Sequence, residues 1–116
     1  FNDQTLQYSL TPVSVTYAKN VASLNIRGTT NNWGTTPMSL VGDHLWQASV
    51  TFTGSGDGNG GQRFKFDVKG DWTQNYGDTN KDGVAELVGA DITTTVVGAY
   101  LVRFNDQTLA YSLSAQ

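Results

Sequence analysis

The sequence predicts an all-β fold, and three observations carry that expectation. Apolar and polar residues alternate with period two through several short runs, the mark of half-buried strands. Turns rich in glycine, asparagine and aspartate separate the runs. No stretch of helical length carries an apolar stripe at helical spacing.

Taken in chain order, Val13, Val15 and Tyr17 share one face of the first run. Leu24 and Ile26 do so in the second, with Asn25 and Arg27 opposite. Trp46, Ala48, Val50 and Phe52 line one side of the third, and Gln47, Ser49 and Thr51 the other; this phase puts Trp46 in the core. Phe64, Phe66 and Val68 oppose Arg63, Lys65, Asp67 and Lys69. Tyr100, Val102 and Phe104 continue the pattern, followed by Leu109, Tyr111 and Leu113. The stretch from Gly54 to Gly61 reads as a flexible loop. About seven to eight short strands in ~100 residues imply an antiparallel β-sandwich of immunoglobulin-like architecture.

Composition bounds the function. A chain of 116 residues suits one domain with one modest core. Only 15% of residues are charged, and Thr, Ser, Asn, Gln and 13 glycines make a neutral, hydroxyl-rich surface. A net charge of −3 with seven Lys and Arg argues against nucleic acid, whose phosphates demand clustered cations. No apolar run approaches the ~20 residues that span a bilayer, so no membrane role is expected. Without cysteine there is no disulfide framework and no thiolate metal site. A chain that begins at Phe1 rather than Met is expected to be excised from something longer, and a bacterial secreted protein fits this composition.

One repeat stands out. Phe1-Asn2-Asp3-Gln4-Thr5-Leu6-Gln7-Tyr8-Ser9-Leu10 recurs as Phe104-Asn105-Asp106-Gln107-Thr108-Leu109-Ala110-Tyr111-Ser112-Leu113, with one difference in ten. The spacing is domain-sized and too long for a solenoid. Residues 1–10 are therefore expected to be the closing strand or linker of a preceding tandem copy, and 11–116 the sandwich module itself. The alternative is one internally duplicated sandwich. Because residues 1–10 compete with 104–113 for one strand position, strand exchange between molecules is expected.

Two segments resemble a known signature. They are Ile26-Arg27-Gly28-Thr29-Thr30-Asn31-Asn32-Trp33-Gly34 with Pro37-Met38, and Arg63-Phe64-Lys65-Phe66-Asp67-Val68-Lys69-Gly70-Asp71-Trp72 with Gln74-Asn75-Tyr76-Gly77. In order and spacing they resemble starch- and glycogen-binding carbohydrate modules. These include bacterial amylase and starch-utilisation lipoprotein modules and the glycogen-binding domain of AMP-activated kinase β subunits. The resemblance spans roughly residues 22–78. It implies that Trp33 and Trp72 stack on glucose rings and that Lys65 hydrogen-bonds sugar hydroxyls. The family's further Asn has no clear counterpart between Asp78 and Val97; Asn75 and Tyr76 are expected to take its place, from their proximity to Trp72.

The chemistry is coherent. A sugar offers apolar C–H faces to an aromatic π surface and hydroxyls to polar neighbours. Two angled tryptophans suit the curved α-1,4 chain, whereas a flat row suits a straight β-1,4 chain.

A second signal runs Asp78-Thr79-Asn80-Lys81-Asp82-Gly83-Val84-Ala85-Glu86. It opens like a calcium loop, with ligands expected from Asp78, Asn80, Asp82, the Val84 carbonyl and Glu86. Gly89 stands where the bidentate acid belongs, leaving Glu86 or Asp91 to supply a carboxylate. The alternative is a turn without metal, since these residue types favour turns anyway. The lone His44, in a polar turn, is expected to be exposed and without a task.

No nucleophile motif accompanies His44, and most of the ten acids sit in turns rather than as a dyad across a cleft. The expectation is a non-catalytic module that binds α-glucans, attached to tandem copies and a catalytic domain. The rivals are a module for another polysaccharide (β-glucan, chitin or an algal glycan) and a spacer or adhesion repeat.

Overall fold

A computed structural model describes residues 16–116. Their strands are β1 (Asn25–Gly28), β2 (Thr36–Pro37), β3 (Ser39–Gly42), β4 (Leu45–Phe52), β5 (Gln62–Asp67), β6 (Asn75–Gly77), β7 (Glu86–Leu87), β8 (Ile92–Thr94), β9 (Gly98–Asn105) and β10 (Tyr111–Ala115). They form two antiparallel sheets in a sandwich. One sheet runs β2-β1-β5-β6-β7, and β8 extends it by pairing with the other end of β5. The second runs β10-β9-β4-β3. The count exceeds the expected seven to eight because very short strands such as β2 and β7 leave no alternation to read.

The alternation places the core. Ile26, Phe64 and Phe66 from one sheet and Trp46, Val50, Phe52, Val102 and Phe104 from the other are all buried. Phe66 and Phe104 meet across the sandwich with centroids 4.5 Å apart, and Phe64 packs edge-on against Phe66. Each such side chain contributes roughly 1.5–3 kcal/mol by leaving water. Val13 and Val15 lie outside the described residues, and Tyr17 precedes the first described strand.

The repeat's second copy closes the molecule. Asp106 follows β9, and its buried carboxylate accepts from Trp46 Nε1 at 3.0 Å and from the backbone N–H groups of Asn20 and Val21 at 2.7 and 3.2 Å. His44 Nδ1 lies 2.6 Å from the other oxygen. His44 is thus half-buried and tied to Asp106, correcting the expectation of an exposed residue without a task. One aspartate clips the chain entry, the β3–β4 turn and the β9–β10 hairpin together.

Candidate functional site

On β1 and β5 the polar half of the alternation faces away from the core. Register pairs Arg27 with Lys65 and Asn25 with Asp67. Like charges opposite one another would normally repel, yet Arg27 is heavily partnered. Its Nη1 donates to Asp67 Oδ2 at 3.2 Å and to the Gly70 carbonyl at 2.9 Å. Its Nε and Nη2 donate to the Trp33 carbonyl. Arg27 thereby fastens both tryptophan loops to the sheet.

Each loop has a local cause. After β1 the chain makes a 3-10 turn, Thr29–Asn31, then passes through left-handed Asn32 and Trp33, with φ of 54° and 61°. Asn31 supports the turn, donating to the Ile26 carbonyl and accepting from Gly28 N. Gly28 is required by close approach: a Cβ there would lie 2.3 Å from the Arg63 carbonyl oxygen. Trp72 is left-handed too, at φ 67°, and its N–H donates to Asp67 Oδ2 at 3.0 Å. A bulky residue at positive φ is strained and persists only where its surroundings hold it.

The two indoles meet with centroids 6.0 Å apart and planes inclined at 50°. Trp72 remains 38% exposed and Trp33 is half-buried. The Arg27 guanidinium carbon sits 4.1 Å from the Trp72 ring centre, and that of Arg63 5.4 Å from Trp33. Asp57 completes the edge: it accepts both Arg63 amino groups and, at 3.3 Å, Trp33 Nε1. The Arg63 hydrogen bonds hold Asp57 well below the usual carboxylate range. The loop from Gly54 to Gly61, expected to be flexible, is therefore tethered through Asp57 to the strand carrying Lys65.

The Lys65 side chain is half-buried on this face and makes no hydrogen bond or ion pair among the described residues. Asn75 is buried, pairs in register with Asp67, and donates to the Trp72 carbonyl at 3.0 Å. Through that bond it braces the Trp72 loop. Asp67 Oδ1 and Asn75 Oδ1 are buried without a protein donor beneath that loop. Tyr76 is buried, pairs with Phe66 on the core side and packs 5.7 Å from Phe104, and its hydroxyl accepts from Gln74. Period two sends neighbours to opposite faces, so Asn75 and Tyr76 never shared one. Comparison with known protein families, with curated proteins and with solved structures finds no match to this chain.

The loop opened by Asp78 is organised by its own hydrogen bonds. Asp78 is buried and accepts from Gly83 N at 2.9 Å, Asp82 N at 3.3 Å and the Tyr111 hydroxyl at 2.6 Å. Burial pushes its carboxyl up, but these donors outweigh it and its pKa is lowered. Asp82 accepts from Val84 N, Glu86 accepts from Thr79 N, and Asn80 is exposed. Asp91 pairs with Arg63 instead of reaching the loop. Among the described residues no three acidic or histidine side chains converge as metal ligands. No helix of the described residues is long and apolar enough to cross a membrane.

Sequence reasoning missed Arg27, Arg63, Asp57 and Asp67. Three of them stand on the polar face of runs whose alternation was already visible. That pattern reveals the face they occupy but not which cation meets which indole.

Proposed function

We propose that this chain is a non-catalytic module that binds α-glucan chains on the Trp33–Trp72 face, as starch- and glycogen-binding modules do. The observation that carries the reading is the pair of indoles from separate loops, 6.0 Å apart and inclined at 50°, with Trp72 open to solvent. Inclined planes suit a curved chain of sugars better than a flat ribbon. The strained backbone at both tryptophans supports the same reading, since strain collects where function demands it. Lys65 supplies donors for sugar hydroxyls beside the rings, while Asn75 and Arg27 hold the platform. Such a shallow site binds weakly, and tandem copies on a secreted parent protein compensate through effective concentration.

Titration with maltoheptaose under tryptophan fluorescence tests this, with a cello-oligosaccharide as control. A saturable change with the α-glucan alone, lost in Trp72→Ala, is the expected result. A response to the β-linked chain alone would move the assignment to another polysaccharide.

One observation favours a second reading, that of a structural spacer. Guanidinium groups already pack on both indoles, so the cluster also makes sense as a rivet between loops. A folded protein with no response to any polysaccharide is what that reading expects.

A further inference from the structure

The closing segment of the sandwich, Phe104–Leu113, fills a slot with definite requirements. Phe104 is fully buried against Phe66 and Tyr76. Asn105 Oδ1 caps the turn by accepting from Gln107 N and Thr108 N. Asp106 gathers Trp46, His44 and the chain entry. Leu109, Tyr111 and Leu113 pack against the core, and the Tyr111 hydroxyl satisfies buried Asp78. Beyond Asn105 the segment runs into an edge strand, for β10 pairs only with β9.

Residues 1–10 carry every one of these side chains: Phe1, Asn2, Asp3, Gln4, Thr5, Leu6, Tyr8 and Leu10. The single difference, Gln7 for Ala110, falls on an exposed position that contributes only backbone bonds. A change confined to an exposed position, with every buried and half-buried side chain kept, is what a segment built for the same slot would show. Residues 1–10 themselves lie outside the described structure.

We propose that this slot accepts Phe1–Leu10 of a second copy of the chain, so that copies join by exchanging closing segments. The resident segment has the advantage of covalent continuity with the rest of β9; the incoming one must take over Phe104 and Asn105 at the end of β9, where they pair with β4, as well as the edge strand β10. The exchange is reciprocal and gives a two-fold dimer. It does not depend on the sugar-binding reading.

The full chain carrying Phe104→Asp tests it, because the resident segment can then no longer enter the core. The expected result is a folded dimer by sedimentation, with a denaturation midpoint that rises with protein concentration. The Phe1→Asp/Phe104→Asp double variant should be unfolded at every concentration, and Phe1→Asp alone should fold as a monomer. A Phe104→Asp chain as unfolded as the double variant would overturn the proposal. So would a folded, strictly monomeric one whose midpoint ignores concentration, since its own N-terminal segment would then be filling the slot.

Discussion

Arg27 shows how much one residue on a polar face can organise. Its fork holds the Trp33 carbonyl, the Gly70 carbonyl and Asp67, while its flat side lies on Trp72. Its side chain is 15% exposed and that of Asp67 fully buried. Replacing it by Ala strands a buried carboxylate, so Arg27→Ala should cost roughly 3–5 kcal/mol in urea denaturation. Arg27→Lys should recover little of that, because an ammonium cannot serve three acceptors in a plane. Asp106 is the second such residue. Burial pushes its carboxyl up, but donation from Trp46, Asn20, His44 and Val21 prevails and its pKa is lowered. A carboxylate depressed in the folded state contributes stability above its unfolded pKa of about 3.9, and that contribution is lost as pH falls through the folded value. Stability should therefore drop below about pH 4, and Asp106→Asn, measured by thermal melts across pH, should flatten that acid limb. At neutral pH Asp106→Ala should cost on the order of 3 kcal/mol, since it orphans the buried Trp46 Nε1 and Val21 N–H and removes the acceptor of the part-buried Asn20 N–H.

At the scale of elements, the loop from Asp78 to Glu86 is fastened to the closing hairpin. Tyr111 donates its hydroxyl to Asp78, Tyr111 N donates to the Gly83 carbonyl, and Val84 bridges Ala110. Burial, followed by the hydrogen bond to Asp78, raises the Tyr111 pKa well above the usual phenol range. Because Gly83 N and the Tyr111 hydroxyl already satisfy one Asp78 oxygen, the loop has an organising partner other than an ion. The expected melting temperature is the same in calcium and in chelator; a clear rise with calcium would support the metal reading of Asp78, Asn80, Asp82, Val84 and Glu86. Tyr111→Phe removes the donor and should destabilise by about 1–3 kcal/mol, read by chemical denaturation.

Across the described residues, the two sheets share one aromatic core, and Asp106 ties the segment before β1 to the β9–β10 hairpin. Unfolding should therefore be a single transition. Near-ultraviolet circular dichroism and tryptophan fluorescence should give the same midpoint, as Trp46 reports the core and Trp33 and Trp72 the outer face. Two probes with separated midpoints would show that the tryptophan loops melt before the sandwich. If the α-glucan reading holds, two linked modules should stay on starch granules far longer than one; equal retention would count against it.

What the sequence by itself determined is what period two can encode. The alternation of Trp46, Val50 and Phe52, of Phe64 and Phe66, and of Val102 and Phe104 dictates which face each residue takes, because successive side chains in a strand must point to opposite sides. The fold class and the core followed from that local rule. Trp33 and Trp72 were legible as candidates because no alternation demanded their burial. Only the tertiary structure decided that these two rings meet, at what angle, and that Arg27, Arg63 and Asp57 hold them. Trp33 with Trp72, Arg27 with Trp72 and Arg63 with Trp33 join residues tens of positions apart, through a strand register that no local pattern specifies. The same cause explains His44, whose partner Asp106 is distant in sequence; Asn75 and Tyr76, by contrast, take opposite faces by the local period of β6.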